Sequence, residues 1–112
     1  FTEEFIKKNP NIYKKIYSML ENNNHDTWLK VYKLFVYHED DDISIKQINA
    51  KSLIITGEND IGSKPRMSEN LSKLIVGSQF KIIKKGKHLC NMECPEIFNI
   101  TLREFIDNND KA

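Results

Sequence analysis

Apolar residues in the first 42 positions recur at the three-to-four-residue spacing of helices. Thr2, followed by Glu3 and Glu4, is typical of a helix N-cap with acidic residues in the first turn. Asn9 and Pro10 predict a second helix, with Asn9 as its cap and Pro10 at its first position. The apolar and aromatic positions of that helix are Ile12, Tyr13, Ile16, Tyr17, Met19 and Leu20.

A third helix is predicted after the asparagines at 22–24, with Asp26 as its N-cap. Its apolar positions cover much of the helix circumference, which predicts burial on more than one side. These positions are Trp28, Leu29, Tyr32, Leu34, Phe35 and Val36. The acidic run at 39–42 opposes the helix macrodipole, so the helix is expected to end before or within it. We interpret this run as a solvated turn in preference to a cation site, because charge runs usually face solvent.

The pattern changes after residue 50 from helical spacing to short apolar runs. Residues 43–50 are expected to form a connector. Ser52 to Thr56 and Gln79 to Ile83 predict two strands, and Pro65 and Pro95 each mark a helix that follows a strand. The order strand, helix, strand, helix is typical of parallel strands joined by a crossover helix.

Each predicted strand is followed by a Gly-containing turn and then by one polar side chain, Asp60 after the first and His88 after the second. Open α/β sheets bind and react with their ligands at this carboxyl end of the strands. Parallel sheets are normally covered on both faces and continue sideways, because exposed strand edges are liable to pair. Two apolar parallel strands therefore predict a sheet that is completed by further strands.

Length, composition and net charge limit the classes of partner that the sequence predicts. The 112 residues suffice for one small domain, and a net charge of +1 gives no reason to expect nucleic acid or an anionic membrane as partner. The longest apolar runs fall far short of the ~20 residues that a membrane helix needs. No signal peptide is recognisable, and a first residue of Phe1 favours a piece excised from a longer protein over removal of a leader.

The two cysteines, Cys90 and Cys94, are separated by three residues and lie near His88. A structural zinc site usually has four ligands in two closely spaced pairs, so these three residues do not predict a metal site. Two reduced thiols are typical of a cytoplasmic protein. No cofactor is predicted.

Residues 51–106 resemble the C-terminal segment of the α/β-hydrolase fold. The resemblance lies in an apolar strand, Gly-x-x-Asp, a helix-opening Pro, a second apolar strand, Gly-x-His, Glu-x-Pro and a final helix. The matching residues are Gly57, Asp60, Pro65, Gly86, His88, Glu93, Pro95, Phe98, Phe105 and Ile106. The resemblance implies an α/β fold of partial α/β-hydrolase type, with lid helices and a connector in 1–50. A β-α-β-α portion of the hydrolase core, with a short parallel sheet, follows in 51–112.

The resemblance implies catalytic roles for Asp60 and His88, as the acid and the base of a triad. Histidine can take a proton from a serine near neutral pH, and a carboxylate on its other nitrogen fixes its tautomer. Glu93 and Pro95 are implied to be scaffold residues that place the final helix. The alternatives are that Asp60 is a turn residue after Asn59 and that His88 is a loop or capping residue.

The nucleophile of such a triad is not in this sequence. None of the seven serines lies in Gly-x-Ser-x-Gly, and Ser63, the nearest in sequence to Asp60, lacks flanking glycines on both sides. The oxyanion-hole loop and the first strands of the family are also missing. Lys87 lies at a position where the family often has a small residue, which counts against the assignment of His88 as the base. A Cys90 nucleophile is conceivable, although Cys-His pairs normally come from separate segments.

The sequence therefore predicts a C-terminal fragment of a serine-type α/β-hydrolase that is inactive alone. The parent would hydrolyse a small-molecule ester, lactone or thioester. The first alternative is a non-catalytic, truncated hydrolase-like module that forms a homodimer through its open sheet edge. The second is an unrelated small α/β binding domain whose match is accidental.

Overall fold

The structure is a computed structural model that describes residues 1–38 and 42–110, with the side chain of Asp42 left out. Seven helices and two strands lie in these ranges, in the order α1 (Glu3–Lys8), α2 (Pro10–Glu21), α3 (His25–Val36), α4 (Asp42–Lys46), β1 (Leu53–Gly57), α5 (Pro65–Leu74), β2 (Gln79–Ile83), α6 (Cys90–Glu93) and α7 (Pro95–Asn109). None of these helices is both long and apolar enough to cross a membrane. The acidic residues 39–41 lie outside the described ranges.

The helices at the N-terminal end begin close to where the sequence predicts them. Thr2 caps α1, since its side chain accepts a hydrogen bond from the Phe5 N–H, and Pro10 opens α2. The prediction that Asp26 caps the third helix is wrong. Asn24 is the cap, because its extended backbone lets its side chain accept from the Thr27 N–H at 2.9 Å.

The β-α-β-α order predicted after residue 50 is confirmed. β1 and β2 are parallel and pair from Leu53 opposite Gln79 to Gly57 opposite Ile83. Helix α5 packs against both strands, and α7 contacts β2 and α6. The sequence did not predict the short helices α4 and α6, because each has too few residues for a helical period to be recognised.

Burial in this chain is concentrated at the carboxyl ends of the two strands. Along β1 the residues change from half-buried to buried at Thr56 and Gly57, and along β2 the last residue, Ile83, is 1% exposed. Ile75 and Cys90 are the other buried apolar residues among those described. The best-packed part of the molecule is therefore the end of the sheet at which Asp60 and His88 were predicted.

Much apolar surface remains exposed elsewhere. The prediction that α3 is buried on more than one side is wrong for this chain, because the described residues do not cover it and Trp28 is 51% and Phe35 78% exposed. The total accessible area is 9242 Å², whereas a folded monomer of this mass exposes about 6,400 Å² by the general area–mass relation. This excess of accessible area is expected for an apolar helix face and a two-stranded sheet that the other described elements do not fully cover.

Candidate functional site

The turns that follow β1 and β2 are packed directly against each other. A Cβ atom on Gly57 would lie 2.2 Å from the carbonyl oxygen of Lys87 and 2.5 Å from that of Gly86. Only glycine allows the end of β1 to approach the second turn this closely. The N–H of Asn59 also donates to the carbonyl oxygen of Gly86 at 2.9 Å. These contacts bring Asp60 and His88 to one place.

Asp60 is a buried carboxylate with its oxygen atoms already occupied. Oδ1 accepts from the backbone N–H groups of Gly62 at 3.0 Å and Ser63 at 2.9 Å. Burial by itself raises the pKa of Asp60. The hydrogen bonds from Ser63, His88 and Gly62, with the charge of His88, outweigh burial and hold that pKa below its ordinary value of 3.8. Asp60 is therefore ionised at neutral pH, while the other oxygen faces His88.

His88 meets that second oxygen with Nδ1, which lies 2.8 Å from Oδ2 of Asp60. The side chain of Asp60 is 6% exposed and that of His88 is 70% exposed. An ionised carboxylate at Nδ1 favours the tautomer that carries its proton there. Nε2, on the opposite side of the ring, is then left as the basic nitrogen on an accessible side chain.

The turn that carries His88 is held from the β1 side by two further contacts. Oε2 of Glu58 accepts from the N–H of Lys85 at 2.9 Å. The N–H of Glu58 donates to the carbonyl oxygen of Ile83 at 2.9 Å. Lys85 has a φ of 64°, a left-handed conformation that is unusual outside glycine. The sequence did not predict this role of Glu58, because a carboxylate on a remote backbone N–H leaves no periodic signal.

Glu93 contacts two backbone segments that lie outside the final helix. Its Oε2 accepts from the N–H of Lys87 at 2.6 Å, and its Oε1 accepts from the N–H of Thr2. Glu93 is the last residue of α6. Through these two hydrogen bonds its carboxylate contacts both the turn before His88 and the start of α1. Pro95, in contrast, opens α7 as predicted.

The surroundings of the two cysteines do not favour an activated thiol. Within 1–38 and 42–110, no three His, Cys, Asp or Glu residues are placed to hold a metal ion. Burial raises the pKa of Cys90, and burial together with the charge of Glu93 raises that of Cys94. A catalytic cysteine requires a thiolate, so Cys90, which is 6% exposed, is a poor nucleophile.

Ser63 is engaged as part of the Asp60 turn. Its N–H binds Asp60, and its carbonyl oxygen accepts from the Thr56 hydroxyl at 3.4 Å. The structure therefore brings together the predicted acid and base. The sequence supplies no serine in a nucleophile elbow beside them.

Two solved structures are similar to this chain. An α/β hydrolase, MGS-MChE2, from a sediment metagenome of the Mar Chica lagoon in Morocco, is 25% identical over 91% of this chain, with a TM-score of 0.74. Carboxylesterase CesB (YbfK) from Bacillus subtilis is 30% identical over 62% of this chain, with a TM-score of 0.56. No protein-family model matches the sequence, and no curated protein is significantly similar to it.

The chain covers 47% of the length of MGS-MChE2 and 25% of that of CesB. It thus spans about half of one hydrolase and a quarter of the other. One of these proteins is an α/β hydrolase and the other a carboxylesterase, in agreement with the resemblance of residues 51–106 to the α/β-hydrolase fold. The chain therefore carries part of the fold of the α/β-hydrolase superfamily, as its sequence motifs predict.

Proposed function

We propose that this chain supplies the acid and the base of a serine-type hydrolase whose nucleophile and oxyanion hole lie on residues outside these 112. The observation that carries the proposal is the 2.8 Å contact between His88 Nδ1 and a buried, ionised Asp60. In that arrangement Nε2 takes the serine proton and later returns it to the leaving group. The similarity to a carboxylesterase supports a small-molecule ester as the substrate, and a lactone or a thioester stays an alternative of the same proposal.

The helices in residues 1–50 are proposed to be the end of a lid over the acyl pocket. They precede β1, and α2 and α3 carry the exposed apolar and aromatic residues that such a pocket requires. Trp28 stacks on Tyr32 with ring centroids 4.9 Å apart, which gives α3 a flat aromatic surface. Apolar walls with few polar groups are typical of small-molecule sites.

The chain alone is expected to be inactive, because hydrolysis by this mechanism also needs a nucleophile and an oxyanion hole. The reading frame upstream of Phe1 provides the first test. A continuous frame that encodes Gly-x-Ser-x-Gly supports the proposal. A stop codon followed by a start site at this position contradicts it.

Activity of the protein encoded by that longer frame provides the second test. His88→Ala and Asp60→Asn are expected to lower kcat for a short-chain p-nitrophenyl ester by about 10³-fold or more, as in other serine triads. The matched controls are His25→Ala and Asp107→Asn, which alter exposed residues. Equal activity of the His88 and His25 variants would overturn the assignment.

A second candidate function is that of a non-catalytic module that self-associates through its sheet edge. The two-stranded sheet favours it, because each described strand pairs with the other and keeps one open side. This candidate requires the isolated chain to be a dimer or a larger species in solution. A monomer in light scattering at all concentrations contradicts it.

A further inference from the structure

The carboxylate of Glu93 joins two segments that are far apart in sequence. It accepts from the N–H of Lys87, the residue before His88, and from the N–H of Thr2, the N-cap of α1. We infer that Glu93 is a positioning residue that couples the start of the helical segment to the backbone that carries His88. The direction of the imidazole and the placement of α1 then depend on one side chain.

On the His88 side, Glu93 completes the support of the turn. Three residues that follow β1 hold this turn. Glu58 contacts Lys85, Asn59 contacts Gly86, and Asp60 contacts His88. Glu93 holds Lys87 from α6 through a hydrogen bond of 2.6 Å to its carboxyl group. Because the Lys87 N–H is fixed, the Gly86–Lys87 peptide, one unit before the peptide that joins Lys87 to His88, cannot rotate without breaking this bond.

On the α1 side, the N–H and the hydroxyl of Thr2 are both in use. Its Oγ1 accepts from the N–H of Phe5 at 3.3 Å, which caps the helix, while its own N–H donates to Glu93. A cleft lined by Phe5, Lys85 and Met92, among others, lies between α1 and the His88 turn. A shift of α1 across this cleft therefore pulls on the carboxylate that holds Lys87.

The catalytic consequence rests on the proposed function. If His88 is the base, the placement of the lid segment sets the direction in which Nε2 points. The coupling itself is measured without substrate, by amide hydrogen exchange at Lys87 and by the imidazole nitrogen shifts of His88. Lack of ester hydrolysis by the longer protein would not alter these spectra. Failure of the proposed hydrolase function can therefore be distinguished from failure of the coupling through Glu93.

Two substitutions of Thr2 distinguish the contribution of its N–H from that of its hydroxyl. Thr2 has a φ of −75°, which proline adopts readily. Thr2→Pro removes both the N–H and the hydroxyl, whereas the matched control Thr2→Ala removes only the hydroxyl. We expect exchange at Lys87 to be about tenfold faster in Thr2→Pro than in Thr2→Ala, together with shifted His88 nitrogen signals. Identical spectra of the two variants would overturn the coupling.

Substitution of Glu93 tests the same coupling at the residue that makes both hydrogen bonds. The two N–H donors bind different oxygens of Glu93, so Glu93→Gln, which replaces one oxygen by an NH2 donor, removes the acceptor of one of them. Exchange at Lys87 or at Thr2 should accelerate about tenfold, and Glu96→Gln, on the adjacent exposed carboxylate, should leave both rates unchanged. Wild-type rates at both amides in Glu93→Gln would refute the inference. If Glu93→Gln does not fold, the Thr2 pair decides.

Discussion

Asp60 illustrates how a single residue acquires its properties from its neighbours. Its carboxylate is buried, which disfavours charge, yet three donors keep it ionised. Asp60 makes the Gly62 and Ser63 contacts of a turn aspartate, while its role as a catalytic acid stays a prediction. The contact with His88 is the part that has chemical consequences.

The lowered pKa of Asp60 predicts a pH-dependent stability. A folded-state pKa below 3.8 means that the contribution of Asp60 is complete above that value and is lost as pH falls through the folded pKa. We expect Asp60→Asn to lower the free energy of unfolding by about 1–3 kcal/mol at pH 7, and by progressively less below pH ~4. Urea unfolding at several pH values measures this, with Asp107→Asn as the exposed control. A difference that stays constant down to pH ~2 would contradict it.

At the scale of elements, the site depends on the contact between the end of β1 and the turn after β2. The strands and their order follow from apolar runs and turn residues, and β2 lies where the sequence predicts it. The closeness of the two turns does not follow from those runs. It arises from the register of Gly57 opposite Ile83 and from the missing side chain at Gly57.

This contact predicts different outcomes for two glycines of the site. Gly57→Ala places a Cβ within 2.2 Å of a backbone oxygen, so the strand end and the His88 turn must separate. We expect a loss of about 1–3 kcal/mol in the free energy of unfolding, with altered His88 signals. In Gly62→Ala the nearest atom is Asp60 Oδ1 at 3.7 Å, an ordinary contact, so stability should hardly change. Equal thermal stability of the two variants would show that the close approach is unimportant.

At the scale of the whole molecule, the chain is less compact than a self-contained domain of its length. Its Cα radius of gyration is 16.5 Å, compared with about 13 Å for a compact domain of this length. Large apolar residues on α2 and α3 are exposed, and contiguous exposed apolar surface marks interaction sites. The surface is expected to bind the remainder of a hydrolase domain or a second copy of the chain.

Light scattering can identify which surface mediates association of the isolated chain. In Leu34→Glu with Phe35→Glu, two carboxylates replace side chains of α3 that are 75% and 78% exposed. If α3 is the contact surface, the mass of this variant should fall to that of a monomer, because a buried unpaired charge is unfavourable. Lys30→Glu, a charge change on the same helix, should retain the mass of the parent chain. Persistent association of the double variant would instead implicate the sheet edge.

The sequence by itself determined the strand–helix alternation, the polar residues at the strand ends and the resemblance to an α/β hydrolase. These features are local, since apolar spacing and turn residues act over a few neighbouring positions. The tertiary structure alone decided the contact between Asp60 and His88, the role of Glu58 and the link from Glu93 to Thr2. These depend on atoms 27 to 91 residues apart, which only the pairing of the two strands and the placement of α1 bring together.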